Sequence, residues 1–135
     1  MNSASSDRII ANPSCEILVT SKCNMQCSYC IARDLDKADM TKEIGISSID
    51  YFIYLSEGAE TLDFIFTGGE PLLNWGILKE LIEYAVEKAN DQGMGAKISI
   101  KSNGILLNEE CIEYFRKYKC TIFISIDGTE QEHIK

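Results

Sequence analysis

Thr61-Leu62-Asp63-Phe64-Ile65-Phe66-Thr67 runs without a break into Gly68-Gly69-Glu70-Pro71, and a long amphipathic stretch follows from Trp75 to Asn90. The first seven residues are rich in apolar and β-branched types and read as a strand. Two glycines and a proline then punctuate the chain. After them Leu78, Leu81, Ile82, Ala85 and Ala89 recur at helical spacing, and Gly93 and Gly95 end the pattern. Strand, tight exit and helix in that order form one βα unit.

The same unit recurs on both sides. Upstream, Cys15 to Thr20 is a short β-prone run. A polar connection from Arg33 to Gly45 follows, and Ser47 or Ser48 is the expected N-cap of a helix whose apolar face is Ile49, Phe52, Ile53 and Leu55 and which ends near Gly58. Downstream, Ala96 to Lys101 is a third strand leaving through Ser102-Asn103-Gly104. Asn108 then caps a helix with Glu109 and Glu110 in its first turn and Arg116, Lys117 and Lys119 at its far end, which suits the helix dipole. A fourth strand, Cys120 to Ile126, leaves through Asp127-Gly128, and Thr129 opens a further helix. This β-α-β-α-β-α-β rhythm predicts an α/β fold with a parallel sheet and right-handed crossovers. All strand exits of such a sheet fall on one edge.

Four successive exits carry unusual residues. The first holds Cys23-Asn24-Met25-Gln26-Cys27-Ser28-Tyr29-Cys30, three thiols spaced C-x3-C-x2-C. Clustered thiolates suit a soft metal centre, and three where an ordinary cluster takes four leave one iron open. A closed zinc site needs a fourth ligand, and the one histidine, His133, stands far along the chain. A disulfide framework fits poorly with six cysteines in 135 residues and no secretory signal; Cys111 and Cys120 read as core cysteines. At the second exit, Gly68 and Gly69 allow close approach to the backbone, and with the Glu70 carboxylate they could hold an ammonium group. The plainer reading is a strand-to-helix turn. Ser102 and Asn103, then Ser125 and Asp127, offer polar groups at the third and fourth exits, although Asn-Gly and Asp-Gly are also ordinary turn pairs. Their alignment at four successive exits says more than any one of them.

Length and composition bound the rest. The chain has 135 residues, 45% hydrophobic and 25% charged, with a formal net charge of −8. That is enough for one core, and the acidic balance disfavours a nucleic-acid partner. No apolar run reaches the ~20 residues of a membrane span, so no membrane partner is expected and the expected location is the cytoplasm. Residues 1–14 read as a polar leader and 15–135 as the core.

Cys23-x3-Cys27-x2-Cys30 with Tyr29 before the last cysteine, together with Gly68-Gly69-Glu70-Pro71, resembles the radical S-adenosylmethionine (radical SAM) enzymes. Ser102-Asn103-Gly104-Ile105-Leu106-Leu107 and Ser125-Ile126-Asp127-Gly128 resemble the SPASM/twitch-type branch, which includes sulfatase- and peptide-maturating enzymes. The resemblance covers Ile17 to Ile134. It implies an enzyme whose Cys23, Cys27 and Cys30 bind a 4Fe-4S cluster, with S-adenosylmethionine on the open iron. Gly68, Gly69 and Glu70 would hold the methionine ammonium and Tyr29 the adenine, with Ser102, Asn103, Ser125 and Asp127 around the ribose and methionine. It further implies reductive cleavage to a 5′-deoxyadenosyl radical, hydrogen abstraction from a peptide or protein substrate, and a reductant such as flavodoxin or ferredoxin. The implied fold is the N-terminal four strands of a parallel partial (β/α)6 TIM-like barrel. At ~31 residues per βα unit, this length holds about four units. Truncation after the fourth unit would leave an open strand edge, so self-association is expected. The rival is a non-catalytic iron–sulfur electron-transfer piece, or a fragment completed by another chain. No catalytic residue is assigned.

Overall fold

The computed structural model describes residues 12–23 and 38–125. Four strands, β1 (Ser14–Thr20), β2 (Thr61–Gly68), β3 (Gly95–Ser102) and β4 (Thr121–Ile124), alternate with three helices, α1 (Lys42–Leu55), α2 (Trp75–Asp91) and α3 (Glu109–Lys117). The sheet order is β1-β2-β3-β4, and every pairing is parallel. Each strand therefore lies beside the one that precedes it in sequence, which is the opening pattern of a βα barrel.

The strand periodicity sorts the two faces. Ile17 and Val19, Leu62, Phe64 and Phe66, and Ile98 and Ile100 are buried on one face. They pack against Ile49 and Ile53 of α1, Leu78, Leu81, Ile82, Ala85 and Ala89 of α2, and Cys111 and Phe115 of α3. Each large aliphatic side chain taken wholly out of water here contributes about 1.5–3 kcal/mol before conformational entropy is set against it. The other face carries Asp63, Ile65 and Thr67, then Lys97, Ser99 and Lys101, with the Lys101 ammonium 3.9 Å from Glu16 across the sheet.

The helix ends follow local chemistry, with some departures from the sequence reading. Thr41, not Ser47 or Ser48, caps α1: its hydroxyl accepts from the Ile44 amide at 3.2 Å. Ser48 lies inside the helix and donates to the Ile44 carbonyl. The inward face of α1 is Gly45, Ile49 and Ile53, while Leu55 is 62% exposed. A Cβ on Gly45 would stand 2.6 Å from the methyls of the buried Leu81, which would have to shift, so α1 and α2 meet closely at that point. Asn108 caps α3 as expected, accepting from Cys111 N at 2.9 Å. A 3-10 turn, Pro71–Asn74, is inserted between the β2 exit and α2.

At the outer strand, Thr121, Phe123 and Ile124 of β4 are exposed. Strand β4 ends at Ile124, short of the expected Ile126; Ile126, Asp127 and the helix expected from Thr129 lie outside the described residues. Among the described residues, no helix is long and apolar enough to cross a membrane.

Candidate functional site

The carboxyl ends of the four strands are laced together by hydrogen bonds. At the first junction the amides of Gly69 and Glu70 donate to the carbonyls of Thr20 (2.9 Å) and Lys22 (2.8 Å), tying the β2 exit to the residues just before Cys23. The two glycines are demanded by this contact. A Cβ on Gly68 would lie 2.1 Å from the Thr20 carbonyl oxygen, and one on Gly69 would lie 2.2 Å from that of Lys22. Gly68 also has φ +137, where L side chains are strained. The close approach anticipated for a ligand is made here by the chain itself.

Glu70 forms the second junction. Its side chain is fully buried, and its carboxylate accepts three hydrogen bonds. The donors are the Leu72 amide (3.1 Å) and the Ser102 hydroxyl (2.8 Å) on Oε2, and the Asn103 amide (2.8 Å) on Oε1. Glu70 thus caps the 3-10 turn and also binds the β3 exit, joining the turn reading to a second role. A buried carboxylate is tolerated only when donors replace its water, and these three do so. The Ser102 oxygen also accepts from Gly104 N at 2.9 Å, and Asn103 Oδ1 accepts from Ile105 N at 3.0 Å, so the Ser102-Asn103-Gly104 turn is held from within.

The third junction brings in the last strand: the Ser125 amide donates to the Ser102 carbonyl at 2.9 Å. The predicted residues Cys23, Gly68, Gly69, Glu70, Ser102, Asn103 and Ser125 therefore share one edge of the sheet. Cys27, Tyr29, Cys30 and Asp127 lie outside the described residues.

Four supporting residues were not singled out from the sequence. Asn74, in the 3-10 turn, donates to the Val19 carbonyl at 2.8 Å. Thr20, Lys22 and Asp39 form a cluster at the β1 exit. The Thr20 hydroxyl donates to Asp39 Oδ1 at 2.7 Å, and the Lys22 ammonium stands 3.2 Å from Asp39 Oδ2. The Thr20 hydrogen bond and then the Lys22 ammonium hold the Asp39 carboxyl below the usual carboxylate range. A threonine closing an apolar strand was the one available hint. Its partner nineteen residues away was not.

A groove of ≈680 Å³ between α2 and α3, lined by Glu80, Glu83, Glu110 and Glu113 with Lys79 and Lys117, lies on the helical layer. The laced edge, with its thiol, buried carboxylate and polar turns, is the better site on chemical grounds.

The chemistry of the donor set fits an iron–sulfur centre. Three thiols fall within one short stretch; the first of them is placed at the laced edge, and the backbone before it is fixed by bonds that need no metal.

Comparison with known proteins agrees with this arrangement. Residues 17–135 match the Radical SAM superfamily. An uncharacterized protein of Methanocaldococcus jannaschii is 33% identical over 112 residues, covering 83% of this chain and 37% of that protein. A cysteine-type anaerobic sulfatase-maturating enzyme of Clostridium novyi is 30% identical over 122 residues, covering 86% of this chain and 32% of the enzyme. The chain thus spans about a third of the length of these curated relatives. Among solved structures, native anSMEcpe with bound AdoMet and Kp18Cys peptide superposes with a TM-score of 0.78 at 26% identity, over 91% of this chain and 34% of that one. The motif spacing, the sequential parallel sheet and the match over residues 17–135 agree: this chain belongs to the radical SAM superfamily.

Proposed function

We propose that this chain carries a 4Fe-4S cluster on Cys23, Cys27 and Cys30 and binds S-adenosylmethionine along the laced strand edge. The observation that supports the reading is the continuous row of hydrogen bonds from Thr20–Lys22 through Gly69–Glu70 to Ser102–Asn103 and Ser125, on the sheet edge that leads into Cys23. When bound, the pair of cofactors supplies reductive cleavage of the sulfonium and a 5′-deoxyadenosyl radical for hydrogen abstraction.

The chain's own residues prepare that chemistry. The cysteines offer thiolates for three irons. Gly68, Gly69 and Glu70 would hold the methionine ammonium, and the three hydrogen bonds to Glu70 keep that exit in place. Asn103 and Ser125, and Asp127 by its place in the sequence, would offer polar groups to the ribose and methionine, with Ser102 bracing them through its bonds to Glu70 and Gly104. Tyr29 serves the adenine. Holding Gly68, Gly69, Glu70, Asn103 and Ser125 on one sheet edge would reduce the entropy of gathering them at each turnover.

A peptide or protein substrate is proposed from the sulfatase-maturating relatives and from the SPASM/twitch-like third and fourth exits, with a flavodoxin- or ferredoxin-type reductant. A second reading has an observation of its own: Phe123 and Ile124 of β4 are exposed, as in a fragment that another polypeptide completes or an electron-transfer piece without catalysis.

Anaerobic reconstitution with iron and sulfide, followed by reduction and electron paramagnetic resonance with and without S-adenosylmethionine, tests the proposal. A 4Fe-4S signal that shifts on adding the cofactor, and that Cys27→Ala abolishes, is the expected result. No cluster, or a cluster untouched by Cys27→Ala, overturns it. A cluster that ignores S-adenosylmethionine favours the second reading.

A further inference from the structure

In sequence, Cys27 and Cys30 lie between Cys23 and Ala38. The two flanks of that stretch are fastened to one another. Thr20 and Asp39 form an isolated antiparallel bridge. Around it the Ser21 amide donates to the Ala38 carbonyl (2.9 Å), the Met40 amide to the Val19 carbonyl (2.9 Å), and the Ala38 amide to the Ser21 hydroxyl (2.8 Å).

Side chains finish the fastening. The Thr20 oxygen, on a residue 1% exposed, donates to Asp39 Oδ1 at 2.7 Å and accepts from the Lys22 amide at 3.0 Å. The Asp39 carboxylate thus takes a hydroxyl on one oxygen and the Lys22 ammonium on the other. Lys22 immediately precedes Cys23, and its carbonyl receives the Glu70 amide.

We propose that Asp39, through Thr20 and Lys22, is a positioning residue for the metal centre, clasping the base of the thiol-bearing stretch before any metal arrives. The inference rests on the cluster assignment above. Asp39 touches neither metal nor substrate. It ties residues 20–22 to residues 38–40, so the two sequence flanks of the thiol-bearing stretch are joined without metal. Closing the base in the protein lowers the entropy that metal binding would otherwise have to supply. Groups bonded directly to metal ligands change metal affinity by about 10–100-fold, and Asp39, which acts one residue further away, should fall at the low end of that range.

The test compares wild type with Asp39→Ala, Asp39→Asn, Thr20→Val and the control Tyr84→Phe. The control removes an α2–α1 hydrogen bond to Asp50, far in sequence from the clasp. Reconstituted proteins are mixed with an iron chelator and the bleaching of cluster absorbance is timed. Amide exchange at Ser21 and Met40 is measured on the metal-free proteins. The expected result is about 10-fold faster iron loss and lost amide protection in Asp39→Ala and Thr20→Val. Asp39→Asn, which keeps an acceptor for Thr20 but not the charge facing Lys22, should lie between them and wild type. Tyr84→Phe should match wild type in both.

Iron loss at the wild-type rate in Asp39→Ala and Thr20→Val overturns the clasp and leaves the cluster assignment standing. Equal acceleration in Tyr84→Phe also overturns it, because general loosening would then explain the effect. A wild-type chain that takes up no cluster defeats both readings.

Discussion

Removing the Glu70 carboxylate should cost far more than an ordinary surface substitution. The side chain is fully buried and accepts from the Leu72 amide, the Ser102 hydroxyl and the Asn103 amide at 3.1, 2.8 and 2.8 Å. Glu70→Ala leaves three donors facing a small void. An unsatisfied buried donor costs about 1–3 kcal/mol, but Ser102 can turn its proton elsewhere and the void can admit water. The expected loss for Glu70→Ala is therefore ~3–5 kcal/mol, a large share of a small domain's stability. Glu70→Gln preserves the shape but must direct an NH2 at one donor. It should lose about 2 kcal/mol, from a single donor facing a donor. Ser102→Ala should lose about 1–2 kcal/mol, and combined with Glu70→Ala it should add less than its own cost, because the two share a bond. Urea unfolding of the metal-free chain, followed by the fluorescence of the one tryptophan, Trp75, reads all four variants. Glu70→Ala within about 1 kcal/mol of wild type, or full additivity with Ser102→Ala, would refute the reasoning.

Other outcomes follow from single positions. Gly69→Ala should destabilise by about 1–3 kcal/mol, since its Cβ would press on backbone atoms that cannot swing aside. Gly76→Ala, in α2 with nothing within 4 Å of the new methyl, should stabilise by about 0.5–1 kcal/mol, and calorimetry on the pair checks the sign of each. Burial pushes the Cys120 thiol up to about 12. At pH 8 it should be alkylated roughly a thousandfold more slowly than a thiol of ordinary acidity, and mapping by mass spectrometry against time would contradict this if Cys120 were labelled early. The hydrogen bond to Asp50, with burial second, raises Tyr84 to about 12. Protonated Tyr84 is favoured by folding, so its contribution holds below about pH 10 and is lost as pH rises towards 12. Tyr84→Phe should flatten that alkaline loss in a pH series of melting temperatures.

The strand–exit–helix rhythm was legible because burial on one sheet face and one helix stripe imposes a period on the residues. Leu62, Phe64 and Phe66 alternate, and Leu78, Leu81, Ile82, Ala85 and Ala89 recur at helical spacing; all are buried. The start of α1 was misread because its first turn, Lys42-Glu43-Ile44, faces water and carries no period, while Gly45 looks like a breaker. Only the partner surface explains Gly45: Leu81 occupies the space a side chain would need. The positions of Gly68, Gly69 and Glu70 at an exit could be read, but not what they touch. Their contacts are carbonyls of Thr20 and Lys22 and donors from Ser102 and Asn103, all distant in sequence. Thr20 with Asp39 was illegible for the same reason: each is an ordinary polar residue until folding brings them together.

The neighbour-by-neighbour strand order has a consequence for how the site is made on the ribosome. Because each strand pairs with the one synthesised just before it, nothing waits for a distant segment to be threaded into a gap. The Thr20–Asp39 bridge needs nothing synthesised after Asp39, and the Gly69 and Glu70 bonds become available as soon as β2 emerges. Synthesis proceeds at ~5–20 residues per second. The thiol stretch can therefore be gripped at both ends, and backed by its second strand, several seconds before β4 exists. The vectorial direction of translation and the direction in which these four strands are added are the same, so the thiol-bearing edge is made before the rest of this sheet.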